Sequence, residues 1–87
     1  MDKFLINQIG KITQGQYKDW YVLIEPYEQE DEMFLILICN YPSFKKGELP
    51  KELEAKAIGY DSFAQNIPSL LLHIEDWHID WDWKSEN

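Results

Sequence analysis

The alternation of apolar and polar positions divides the chain into two early strands, a late helix and an alternating run near residue 80. Trp20, Val22 and Ile24 alternate against Tyr21, Leu23 and Glu25, so Trp20 to Tyr27 reads as a strand, with Pro26 favouring its end or an edge position. Met33 to Tyr41 is apolar on both faces through Phe34, Leu35, Ile36, Leu37 and Ile38. Such a strand belongs inside a sheet covered on both sides, or beneath a helix. The short polar break between these runs makes them an antiparallel hairpin. Before them, Asp2 is placed to cap a first helix to about Thr13, carrying Phe4, Leu5, Ile9 and Ile12 near one face. Gly10 weakens that helix by roughly 1 kcal/mol, and Gly15 suits its end.

Pro42 to Pro50 is a loop by its Pro, Ser, Gly and Lys content. Lys51 to Ile58 is patterned for both structures. Glu52 and Lys56 pair at helical spacing behind Pro50, yet Leu53, Ala55 and Ala57 alternate as a third strand would need. Its second half, Lys56 to Tyr60, is read as strand. Ser62 and Gln65 have capping-box spacing and predict a helical turn, with the main helix starting afresh near Pro68. Ile67, Leu70, Leu71, Ile74, Trp77 and His78 form its apolar stripe. From His78 to Trp83, Ile79, Trp81 and Trp83 alternate with Asp80 and Asp82, the period of a half-buried final strand. The expected fold is a single α+β domain over residues 1–87: an antiparallel sheet of three to four strands with helices packed on one face, in the order α-β-β-(β)-α-β.

Composition supports a core and limits the partners. Apolar residues at 45% and aromatics at 15% suffice for one domain of 87 residues. Sixteen acidic residues stand against eight basic ones, all lysine, for a net charge of −8. That balance opposes direct binding of nucleic acid, which needs a basic surface, and of anionic membranes. It suits a basic protein partner. The single Cys39 lies in an apolar run and reads as a small core hydrophobe. No secretory signal pattern and no run of spanning length is seen, so a reducing cytoplasm is the expected compartment.

Candidate chemistry is sparse. His73, Asp76, His78, Asp80 and Asp82 crowd into ten residues, but only His78, Asp80 and Asp82 share a strand face. Alternate residues there stand about 6.5–7 Å apart, too open to chelate a metal without a third element. Cys39 and the serines lack nucleophile motifs, the four glycines stand alone, and no arginine offers a phosphate clamp. No catalytic, metal or cofactor site is expected, and the chain is read as a non-enzymatic binding protein. The expected partner-binding residues are Glu28, Glu30, Asp31 and Glu32 at the hairpin tip, Glu75 and Asp76 at the end of the helix, and Asp80, Asp82 and Trp83. Carboxylates at a helix C-terminus oppose its dipole by a few tenths of a kcal/mol unless a cation answers them. Trp83 is placed as an aromatic anchor.

The order of Asp-Trp-Tyr-Val-Leu-Ile (Asp19 to Ile24), Phe-Leu-Ile-Leu-Ile (Phe34 to Ile38), Gly-Tyr-Asp-Ser-Phe (Gly59 to Phe63), an amphipathic helix and a final Ile-Asp-Trp resembles small immunity proteins of bacterial polymorphic and contact-dependent inhibition toxin systems. Pro68 and the doubled Asp-Trp ending lie outside that pattern. The resemblance implies a cytoplasmic protein that binds and neutralises a cognate basic toxin domain, a nuclease in many such systems. A non-inhibitory adaptor or subunit that docks a basic protein is the alternative reading. A small hydrolase or metal-dependent enzyme stands third.

Overall fold

The structure is a computed structural model that describes residues 4–29, 32–44 and 48–85. Four strands form one antiparallel sheet in sequence order: β1 (Ile9–Lys11), β2 (Tyr21–Pro26), β3 (Phe34–Cys39) and β4 (Gly59–Ala64). A four-residue helix α1 (Lys51–Glu54) precedes β4, and α2 (Ile67–Ile74) follows it. The α+β class and the hairpin of β2 and β3 are as the sequence predicts. Register sets Val22 opposite Ile38 and Ile24 opposite Ile36. Their side chains point to one face, where they join Ile12, Ala64, Leu70 and Ile74 in the buried core. Among the described residues α2 is the helix packed on this core face, through Leu70 and Ile74. Burying each of those side chains contributes about 1.5–3 kcal/mol.

Several predicted elements give way to longer-range contacts. The expected helix from Asp2 to Thr13 is absent over its described residues, where Ile9–Lys11 is strand instead; Asp2 lies outside the described residues. Asn7 has φ 58°, a left-handed conformation that ends any helix there and that asparagine tolerates well. Its N–H donates to Ile24 O at 2.8 Å, turning the chain onto the sheet. The ambiguous stretch splits between its two readings. Lys51–Glu54 is helical, while the strand opens only at Gly59 and runs on to Ala64. Ser62 therefore lies in β4 opposite Ile36 and caps nothing. The helix cap is Asn66, whose side chain accepts the N–H of Ser69 at 2.9 Å, the same three-residue spacing displaced by four positions. Pro68 then falls in the first turn, where its missing N–H costs nothing. The stripe of α2 holds at Leu70, Leu71, Ile74 and Trp77, but Ile67 and His78 are exposed.

The predicted final strand is an isolated bridge, with Lys11 opposite Asp80, followed by a 3-10 turn at Trp83–Ser85. Its apolar members do not share one face. Ile79 and Trp81 lie over Gly10 on the core face, so close that a Cβ at Gly10 would stand 2.7 Å from the Trp81 ring. Trp83 lies instead against Tyr21, with ring centroids 4.9 Å apart. Tyr21 points to the opposite face, since its neighbour Val22 fills the core. Residues 79–83 thus wrap around the outer edge of β1. Continuous alternation looks the same in sequence whether a segment joins a sheet or folds around its rim.

Candidate interaction surface

Alternation along the strands gives the sheet a second face. Register lines up Ile9, Leu23, Leu37 and Asp61 in one cross-strand row, and Glu25, Leu35 and Phe63 in the next. Leu23, Leu35 and Leu37 are only half-buried although they occupy the two central strands, and Phe63 is 44% exposed. Trp83 covers the Tyr21 end of this face, and Phe44 and Leu49 approach the Leu37 and Cys39 end. Tyr27 packs edge-on against Phe63, centroids 5.2 Å apart. No described helix lies across Leu23, Leu35 and Phe63. An antiparallel sheet with one free face normally alternates apolar with polar positions, and these two central strands do not.

The expected binding residues fall around this face rather than in one cluster. Glu28 and Glu32 are exposed in the turn between β2 and β3, and Glu32 is held at φ 66°. Glu30 and Asp31 lie outside the described residues. The turn is closed by Tyr27 N–H donating to Met33 O at 2.9 Å. Glu75, the C-cap of α2, and Asp76 are exposed at the far end of the helix. The carbonyl of Trp77 next to them accepts the N–H groups of Thr13 and Gln14, each at 3.0 Å. These bonds tie the segment after α2 to the segment after β1, while the last turn of the helix itself receives a backbone donor through Trp77 N–H to Ile74 O at 3.0 Å.

Asp80 and Trp83 hold the rim of β1. The backbone of Asp80 exchanges hydrogen bonds of 2.9 and 2.8 Å with Lys11, and its carboxylate accepts the N–H of Asp82 at 2.9 Å. The Trp83 indole donates to Ile9 O at 2.9 Å, and Lys84 Nζ stands 5.5 Å from the Trp83 ring centroid. Asp82 is exposed. Among the described residues no three of His, Cys, Asp and Glu converge on a point that would hold a metal ion. His73 is exposed, with Nδ1 2.9 Å from Ser69 O, and Cys39 is a buried free thiol. No described helix is long and apolar enough to cross a membrane.

A pocket of about 420 Å³ opens where the second face meets the segment before β4. Leu37, Phe44, Leu49 and Ala57 give it apolar walls, and Glu54 and Asp61 add carboxylates. The second face, over which no described helix lies, and this pocket were not foreseen as a site. The signal was present, however: β3 is apolar on both faces, while the expected helices all pack on one face of the sheet. Compared with protein-family models, with curated proteins and with solved structures, the chain matches none.

Proposed function

We propose that this chain is a non-enzymatic, acidic protein-binding module whose partner is a basic protein. Following the sequence resemblance, that partner is a toxin domain which the module neutralises in the cytoplasm. The observation that supports binding is the apolar second face, where Leu23, Leu35, Leu37 and Phe63 have no described helix over them. Apolar surface left in water on a small domain is a recurring mark of an interface. Charge supports the partner's sign: Glu25 and Asp61 share that face by register, Glu28 and Glu32 stand at the adjoining turn, and the chain carries −8 overall. Acidic groups around an apolar centre steer a basic partner and exclude an acidic one.

Capture from a native lysate on immobilised protein, eluted with rising salt, tests this reading. A basic protein should elute, and its expression should kill cells unless this chain is present. A stable, non-toxic assembly would instead favour the adaptor. Replacing Glu28, Glu30, Asp31 and Glu32 with their amides should slow association about ten-fold at low salt and flatten its salt dependence. Unchanged association kinetics would remove the turn from the site.

A further inference from the structure

The two edges of the sheet end differently. At β1, the outward N–H and C=O of Lys11 are both bonded to Asp80, and the outward C=O of Ile9 takes the Trp83 indole. At β4 no such cover exists among the described residues. Asn40 N–H donates to Ile58 O, which continues the β3–β4 register by one pair. In an antiparallel ladder bonded pairs alternate, so Tyr60, Ser62 and Ala64 turn their backbone groups towards β3. Gly59, Asp61 and Phe63 turn theirs outwards, and no described group bonds to them. Sheets usually blunt such an edge with charged side chains, proline, a bulge or a covering segment. The charge β4 carries is Asp61, which disfavours an acidic strand there and favours a basic one. β4 has no lysine or proline, and its two rings, Tyr60 and Phe63, are 54% and 44% exposed.

We propose that β4 is a strand-addition site that takes an extended, lysine- or arginine-bearing segment of a partner. This rests on the reading of the partner as basic and names the edge and the backbone pairing it uses. A strand added here stands about 4.8 Å from β4, with alternate side chains beside Gly59 and Asp61 on the second face. Gly59 has no side chain to obstruct the pocket it lines. A long basic side chain reaches in, its stem against Leu37 and Leu49 and its charge near Glu54 and Asp61. A second copy of this chain fits poorly. Antiparallel pairing of β4 with itself in the register that sets Gly59 opposite Phe63 places Asp61 against Asp61, and any register joins two bodies each carrying −8.

The test uses the intact chain and a capped peptide, Thr-Lys-Val-Lys-Val-Lys-Thr, with a version carrying Glu for Lys. The lysine peptide should bind at least about ten-fold more tightly and slow amide exchange at Gly59, Asp61 and Phe63 by at least about ten-fold. Asp61→Lys should weaken it. Two N-methylated isomers, one blocked at the lysine amides and one at the valine amides, isolate the backbone pairing. Because alternate amides face opposite sides of a strand, only one isomer should lose binding. Equal binding of both isomers, no binding of the parent peptide, or unslowed exchange at the three amides would overturn the proposal. A captured basic partner that leaves those amides exchanging freely overturns strand addition alone, whereas a lysate yielding no basic partner counts against the proposed function.

Discussion

Gly10→Ala should destabilise the protein, although alanine is ordinarily the better strand residue by about 0.5–1 kcal/mol. The added Cβ would sit 2.7 Å from Trp81 Cε3 and closer still to Ile79 Cγ2, where ordinary contact needs at least 3.4 Å. Neither neighbour is free to swing aside. Asp80 lies between them and is bonded on both sides to Lys11, so Ile79 and Trp81 can retreat only by straining that bridge. Overpacking of this kind costs about 1–3 kcal/mol, which outweighs the propensity gain and leaves a net loss of roughly 1–2 kcal/mol. For a domain of this size that lowers Tm by about 5–15 °C. Urea unfolding at unchanged m-value measures it. Ile79→Leu removes the offending Cγ2 at nearly constant volume, so the double variant should recover about 1 kcal/mol relative to the sum of the singles. A Gly10→Ala variant as stable as the parent, or additive behaviour with Ile79→Leu, would refute the seating of residues 79–83 on the core face.

Two further substitutions test the local devices. Asn66→Ala should cost about 1 kcal/mol by leaving the Ser69 N–H without its cap, while Ser62→Ala should leave the start of α2 intact; helical amide exchange distinguishes the two positions. Trp83→Phe keeps a ring against Tyr21 but loses the donor to Ile9 O, and should cost about 1 kcal/mol in thermal unfolding, with Trp83→Leu costing more.

Much of the fold was written locally. The alternation of Trp20, Val22 and Ile24, the acidic turn and the double-sided apolar run of β3 suffice for an antiparallel hairpin, because strand period and turn chemistry act over a few residues. The stripe through Leu70, Leu71 and Ile74 likewise places one helix against that sheet. The net charge of −8 and the lack of catalytic motifs belong to the sequence as well.

What the tertiary structure alone decided is where ambiguous segments found their hydrogen bonds. Ile9–Lys11 had apolar spacing compatible with a helix, yet pairing with β2 and with Asp80, 69 residues away from Lys11, made it a strand. Residues 79–83 alternate as a strand would, but wrapping the β1 edge let Ile79 and Trp81 enter the core while Trp83 capped the rim from the other side. Ser62 carried a helix-start signature that lost to its register opposite Ile36. The candidate surface has the same origin. Composition makes the chain acidic, but only the docking of α2 on one face leaves Leu23, Leu35, Leu37 and Phe63 on the other with no described helix over them. Local sequence sets which residues can share a face; which faces are covered depends on contacts between residues far apart in the chain.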